Sequence, residues 1–109
     1  MNRKTRRSPR FPFIAVAEIA HRGSGGQFSC RVSELSLHGC YVDMLHTLPI
    51  SSEVVIKIFA ESECFEANAT VIYAHPNLGM GLAFKEVSIK SGALLRQWLL
   101  KAGETLKRF

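Results

Sequence analysis

Five basic residues in the first ten positions form the most chemically distinctive segment of the sequence. They are Arg3, Lys4, Arg6, Arg7 and Arg10. An arginine guanidinium binds phosphate through two parallel hydrogen bonds and stacks on flat rings, which a lysine ammonium cannot do. The prolines at positions 9 and 12 favour an extended chain, on which several guanidinium groups can surround one compact anion. The segment therefore predicts an anion-binding arm.

A short polar turn, Glu34-Leu35-Ser36-Leu37-His38-Gly39, supplies a second group of candidate ligand contacts. The hydroxyl of Ser36 can donate and accept, and the carboxylate of Glu34 can accept from the N1–H and N2–H₂ edge of guanine. Gly39 is expected to take a positive φ or to let a ligand approach the backbone closely. Basic groups for phosphate and a carboxylate for guanine together predict a guanine-nucleotide site.

The positive charge of the protein is concentrated in the arm. The chain of 109 residues has 14 Lys and Arg against 9 Asp and Glu, which gives a formal net charge of +5. Residues 11–109 contain 9 basic and 9 acidic residues, so the folded part is expected to be neutral. A domain that reads nucleic acid normally spreads its basic residues over a face of the fold. The distribution favours a local anion site, and no DNA or RNA partner is expected.

Length and composition are those of one domain that can bury its own core. The chain is 47% hydrophobic, and none of its apolar runs reaches the roughly 18 residues that indicate a membrane span. Its cysteines are odd in number and lack CxxC spacing, which favours a reducing compartment and a cytoplasmic location. All three are expected to be small buried side chains within strands. They are Cys30, Cys40 and Cys64.

Alternating hydrophobicity predicts six short strands. They are expected at residues 13–21, 27–35, 40–44, 54–59, 64–73 and 79–84. In the fifth strand, the odd-numbered residues from Phe65 to Tyr73 share the apolar face. Two glycines, Gly79 and Gly81, suggest a close backbone approach or a bend in the last strand.

One helix is predicted after the strands. Ser88 is its expected N-cap and Gly103 its expected end. Its apolar stripe is formed by Ile89, Leu94, Leu95, Trp98 and Leu99. Antiparallel strands with regular turns and a terminal helix predict an all-β fold, a small barrel with the helix over one opening or edge. The predicted parts are a basic arm at 1–10, a barrel domain at 11–103 with its helix at about 88–102, and a frayed tail at 104–109.

The arm and the turn together resemble the PilZ domain, a bacterial receptor family for cyclic di-GMP. The pattern of that family is Arg-x-x-x-Arg, then a first strand, then Asp or Asn followed by x-Ser-x-x-Gly. In this chain Arg6-Arg7-Ser8-Pro9-Arg10 matches the first part, and the turn from Glu34 to Gly39 matches the second. A Leu-Pro connection before the strand at Val54 and the segment Gly81-Leu82-Ala83-Phe84 extend the resemblance over residues 6–100.

The resemblance implies a six-stranded antiparallel β-barrel with a C-terminal helix. It also implies that cyclic di-GMP is bound as a ligand, with no cofactor and no metal, by Arg6, Arg7, Arg10, Glu34, Ser36 and Gly39. The arginines would bind phosphate and stack on guanine, with Arg7 as an additional or substitute group, and the turn would contact guanine and phosphate. Glu34 departs from the family pattern, because its carboxylate is one methylene longer than that of Asp and cannot donate as Asn can.

Four functions stay open at this point, and we expect the first. A cyclic di-GMP receptor, a monomer or weak dimer, would change conformation on binding and signal to a protein effector. A PilZ-like adaptor would bind protein partners without the nucleotide, and the departure at Glu34 is the sequence feature that suggests it. A non-specific nucleic-acid binder would need aromatic platforms, but the phenylalanines are expected in the core. An enzyme is not expected, because the four histidines show no metal-binding or nucleophile-activating spacing.

Overall fold

The period-two hydrophobic patterns of the sequence become six strands that close into a barrel. The structure, a computed structural model, describes the backbone of residues 9–107 and the side chains of residues 9–103. The elements are β1 (Phe11–His21), β2 (Gln27–Leu35), β3 (Gly39–Asp43), β4 (Glu53–Ala60), β5 (Glu63–His75), β6 (Gly79–Val87) and α1 (Ile89–Lys107). Antiparallel pairing in the order β1-β2-β3-β6-β5-β4 closes when β4 pairs with β1. The predicted antiparallel barrel with a C-terminal helix is confirmed.

Side chains from every strand fill the interior of the barrel. Burying one large aliphatic or aromatic side chain contributes roughly 1.5–3 kcal/mol, so this apolar interior is the main source of stability. Side chains with no exposed surface include Val54, Ile56 and Ile58 of β4 and Phe65, Ala69 and Val71 of β5.

Shifts in the strand pairing near the β2–β3 turn reverse which side chains point into the barrel and which point outward. The register of β5 against β6 shifts between Val71 and Tyr73, so that Ile72 is an extra residue on β5. Because side chains alternate with a period of two, one extra residue sends every later side chain to the other face. Tyr73 is therefore half-buried on the outer face, and its predicted place in the apolar row is wrong.

Helix α1 covers one end of the barrel through aromatic contacts. As predicted, Ser88 caps the helix, since its hydroxyl accepts a hydrogen bond of 3.1 Å from the backbone N–H of Ser91. The buried Trp98 stacks on Phe13 of β1 with ring centroids 5.3 Å apart, and its ring lies 6.5 Å from that of Phe65 of β5. Contacts with two strands that are not neighbours place the helix across the opening. Within residues 9–107 no helix is long and apolar enough to cross a membrane.

The helix differs from the prediction at both ends. Ile89 is 90% exposed and does not join the apolar stripe. It precedes the buried Ser91 by two residues, which turns it about 200° away around the helix. The helix also continues through Gly103 to Lys107, into the segment predicted to fray. A glycine costs a helix only about 1 kcal/mol, and Gly103 packs beside the ring of Phe11. The last two residues of the predicted tail lie outside the described residues.

The three cysteines are free thiols in three different environments. Cys40 is buried, as predicted, and Cys30 is half-buried. The prediction is wrong for Cys64, which is exposed because the alternation of β5 turns its neighbour Phe65 inward. Burial, with a smaller effect from the carboxylate of Asp43, raises the pKa of the Cys30 thiol to about 11. Burial raises the pKa of Cys40 as well.

Replacing Trp98 with alanine is expected to lower the free energy of unfolding by about 3–5 kcal/mol, the range for a large buried aromatic side chain. The loss arises from its contacts with Phe13 and Phe65. Urea unfolding followed by circular dichroism measures the change. Leu100→Ala is the matched control, since this side chain of the same helix is 69% exposed. Equal destabilisation by the two substitutions would contradict the assignment of Trp98 to the closure of the barrel.

Candidate functional site

The pairing of β1 with β2 places the end of the arm beside the β2–β3 turn. Phe11, the first residue of β1, pairs with Leu35, the last residue of β2. The preceding residue, Arg10, therefore lies next to Ser36, the first residue of the turn. The strand register thus brings together two segments that are distant in the sequence.

A cavity of about 380 Å³ lies where the arm meets the turn. Its volume is within the range of roughly 300–1,000 Å³ that is typical of small-molecule sites. Four of the six predicted ligand contacts line it, namely Arg10, Glu34, Ser36 and Gly39. The other two, Arg6 and Arg7, lie outside the described residues. A second cavity of about 300 Å³ between β1, β2 and β4 includes none of those four.

Ser36 is held by its own turn. Its backbone N–H and its hydroxyl both donate to the carbonyl oxygen of Gly39, at 2.9 and 3.2 Å. The residue is only 9% exposed. Because its hydrogen is directed to Gly39, the hydroxyl has oxygen lone pairs left with which to accept a hydrogen bond. The donor role predicted for Ser36 is thus used inside the turn, and the acceptor role is open to a ligand.

Gly39 is required by the packing of two strands. The positive φ expected there is wrong, since Gly25 is the glycine with a positive φ among the described residues. A Cβ atom at Gly39 would collide with the backbone carbonyl oxygen of Leu82 in β6. The same close approach allows the N–H of Phe84 to donate to the carbonyl of His38 at 2.8 Å. The glycine therefore lets β3 and the turn lie against β6.

Arg10 contacts two groups of the cavity. Its Nη1 donates to Oε1 of Glu34 at 3.4 Å and to the hydroxyl of Tyr73 at 3.5 Å. The side chains of Arg10 and Glu34 are 48% and 47% exposed. Solvent-exposed ion pairs of this kind contribute at most about 1 kcal/mol. The guanidinium can therefore leave Glu34 for another anion at little cost.

Two tyrosines that were not predicted as site residues form one wall of the cavity. The rings of Tyr41 and Tyr73 lie across β6 with centroids 6.1 Å apart and planes inclined by 28°. Gly81 pairs with both residues, and a Cβ atom there would collide with the ring of Tyr73. At Gly79 a Cβ atom would lie 2.7 Å from a ring carbon of Tyr41. The two glycines were therefore the available signal. The close approach at Gly81 is made by the ring of Tyr73, and that at Gly79 is made by the carbonyl oxygen of Val42 and the ring of Tyr41.

His75 completes a cluster of three rings, and we call Tyr41, Tyr73 and His75 the aromatic platform. The hydroxyl of Tyr41 lies 3.1 Å from Nδ1 of His75, and the rings of Tyr73 and His75 are 5.4 Å apart. Burial raises the pKa of Tyr41, and Tyr73, Asp43 and Glu34 add to the effect. The phenol of Tyr41 therefore stays protonated at neutral pH and places an uncharged ring in the wall of the cavity.

The cavity offers groups that bind and orient a ligand. A guanidinium suits phosphate, a carboxylate and a hydroxyl oxygen accept hydrogen bonds, and the rings suit a flat partner. Within residues 9–107 no three His, Cys, Asp or Glu side chains converge so as to hold a metal ion. His21 lies away from the cavity at the far end of β1, where its Nδ1 is 2.9 Å from the hydroxyl of Ser24.

Comparison with known proteins shows the family and the fold. The sequence model of the PilZ domain matches residues 4–101. The PilZ domain of CeSA from a cellulose synthesizing bacterium is similar, with 19% identity, a TM-score of 0.69, and coverage of 86% of this chain and 97% of that one. The PilZ domain of YcgR from Escherichia coli, determined with c-di-GMP, has 13% identity, a TM-score of 0.74 and coverage of 94% of both chains. A search of curated proteins found no significant match. At these identities the two structures show a shared fold.

Replacing Gly39 with alanine is expected to lower the free energy of unfolding by about 1–3 kcal/mol or more, as overpacking does elsewhere. The added Cβ overlaps the carbonyl of Leu82, and β3 must move away from β6. Thermal and urea unfolding measure the loss. The control is Gly23→Ala in the β1–β2 turn, where the nearest atom to the new Cβ is 3.5 Å away. Unchanged stability in Gly39→Ala would contradict the packing role and leave a ligand contact as the reason for the glycine.

Proposed function

Because this chain belongs to the PilZ domain family, a family of cyclic di-GMP-binding domains and not of enzymes, we propose that it binds cyclic di-GMP in the cavity beside Arg10. One observation supports this function most strongly. Arg10 and the three predicted contacts of the turn, which come from separate parts of the sequence, line a single cavity. Their chemistry matches the two features of the ligand, which are its phosphates and its guanine bases.

The phosphates are bound by the arm. The negative charge of Glu34 offsets the positive charge of Arg10 within the cavity, so a ligand with two phosphates needs further positive charge. Arg6 and Arg7 precede Arg10 closely, and an extended chain of four residues spans at most about 14 Å. We assign the phosphate contacts and stacking on guanine to Arg6 and Arg10, with Arg7 as a supporting cation.

Guanine is recognised by the turn. The carboxylate of Glu34 accepts from the N1–H and N2–H₂ donors of the base, and the hydroxyl oxygen of Ser36 is available as a second acceptor. Gly39 keeps the turn against β6 and offers backbone without a side chain in the way. Adenine lacks this pair of adjacent donors, so the turn favours a guanine dinucleotide over its adenine counterpart.

Signalling follows from the position of the arm at the start of β1. A ligand held between Arg10 and the turn changes the conformation of the domain and so the surface beside the cavity. A separate protein effector in the bacterial cytoplasm recognises the changed surface, and the domain acts as a monomer or weak dimer.

A second candidate function is a protein-binding adaptor that does not take the nucleotide. The ion pair between Arg10 and Glu34 favours it, because the two side chains that the ligand would need are already paired with each other. Isothermal titration of the folded protein with cyclic di-GMP decides between the two functions. Saturable heat that is absent with cyclic di-AMP supports the receptor, and no heat supports the adaptor.

Arg10→Ala is expected to abolish measurable binding of cyclic di-GMP in that titration. The substitution removes the guanidinium that lies nearest the turn and leaves Glu34 as an uncompensated negative charge in the cavity. The matched control is Arg96→Ala, which removes an exposed arginine of α1 and should bind as the wild-type protein does. Wild-type affinity in Arg10→Ala would remove this cavity as the site.

Glu34→Asp is expected to strengthen binding by up to about fivefold, the equivalent of the roughly 1 kcal/mol that an exposed ion pair contributes. The shorter carboxylate withdraws from Arg10 and frees its guanidinium for phosphate. Glu63→Asp, at the exposed start of β5, is the control for the same chemical change elsewhere on the barrel. Weaker binding in Glu34→Asp would show that the longer side chain is needed to reach the guanine edge.

A further inference from the structure

Tyr41 and Tyr73 of the aromatic platform have no part in the phosphate and guanine-edge contacts assigned above, yet they form a wall of the same cavity. Tyr41 and Tyr73 are both half-buried and line the cavity together with Arg10. One face of each ring rests on β6, where Gly79 and Gly81 lack the Cβ atoms that would collide with it. Part of the surface of Tyr41 and Tyr73 stays exposed, so the two rings offer aromatic surface to a ligand in the cavity.

The surroundings of the platform indicate which kind of ligand fits it. The rings of Tyr41 and Tyr73 lie 6.1 Å apart with their planes inclined by 28°, and the hydroxyl of Tyr73 lies 3.5 Å from Nη1 of Arg10. A flat aromatic surface beside a guanidinium suits a molecule in which a planar ring and an anionic group are close together. Nucleobases stack on aromatic side chains in this way, while the neighbouring phosphate is bound by a cation.

We propose that one guanine base of cyclic di-GMP stacks on the exposed ring surface of Tyr41 and Tyr73. This inference rests on the proposed function and adds the two tyrosines to the site. Stacking accepts any base, so the platform supplies affinity and fixes the position of the ring. Selection of guanine stays with the acceptors of the turn, Glu34 and Ser36. The hydroxyl of Tyr73 has a lesser role, because the ring face alone makes the contact.

Substitution of each tyrosine tests the proposal by titration with cyclic di-GMP. Tyr41→Leu and Tyr73→Leu, which keep an apolar side chain over β6, should each weaken binding by about tenfold or more. Tyr73→Phe keeps the ring and should stay within about twofold of the wild-type affinity. The matched control is Phe59→Leu, since Phe59 is an aromatic residue of β4 that is 37% exposed and does not line the cavity.

A direct measurement on the unaltered protein separates stacking from any effect of substitution on the fold. The chain contains 2 tyrosines and 1 tryptophan, so selective ring labelling of tyrosine reports on Tyr41 and Tyr73 alone. Titration with cyclic di-GMP should shift the ring signals of Tyr41 and Tyr73, because a stacked base imposes its ring current on them. The indole signal of Trp98, which is 2% exposed and lies in the core, serves as the internal reference and should not move.

The outcomes distinguish this inference from the proposed function. Loss of affinity in the two leucine variants, with shifted tyrosine signals in the wild-type protein, supports stacking. Wild-type binding with unshifted tyrosine signals and full affinity in the leucine variants overturns the stacking surface and leaves the receptor function standing. Absence of binding by the wild-type protein overturns the receptor function, and the stacking surface falls with it.

Discussion

The close approach of β3 and β6 at Gly39 is the constraint on which the site depends. The carbonyl oxygen of Leu82 occupies the space that a Cβ atom at Gly39 would need, so no other residue fits without separating the strands. With the strands this close, the N–H of Phe84 fastens the turn by donating to the carbonyl of His38. The carbonyl of Gly39 then receives both donors of Ser36. One steric condition thus fixes the barrel and the shape of the β2–β3 turn together.

Interruptions in the alternation of side chains along β2 and β5 bring polar and aromatic residues to the cavity beside Arg10. In β2 the register against β3 shifts between Val32 and Glu34. An uninterrupted strand with Val32 inside would also direct Glu34 inside, where an unpaired carboxylate is very costly. The extra residue sends Glu34 to the cavity and Leu35 into the core. The corresponding shift in β5 brings Tyr73 to the same cavity. Glu34 and Tyr73 thus both reach the cavity because their strands contain an extra residue.

The sequence predicts those features that depend on neighbouring residues in the chain. The alternation from Phe65 to Val71 defines a strand, and Ser88 defines the start of the helix, because both signals are local. The outward position of Tyr73 is not predictable in this way, since an extra residue is defined only by the register against β6. Gly103 shows the same limit, because a helix passes through it where packing against β1 outweighs the cost of glycine. At Gly39 the residue type was informative, but only the partner strand shows why it is needed.

The electrostatics of the cavity suit exchange between an internal partner and a ligand. Arg10 lies at the junction of the arm and β1, and its ion pair with Glu34 is half-exposed, long and therefore weak. A phosphate that accepts two parallel hydrogen bonds from one guanidinium makes a stronger contact than this single 3.4 Å interaction. The displaced carboxylate is then free to accept from a base. The two side chains can thus pair with each other without the nucleotide. When it is present, Arg10 can bind a phosphate and Glu34 can accept from a base. The longer carboxylate of Glu34 is therefore compatible with a receptor.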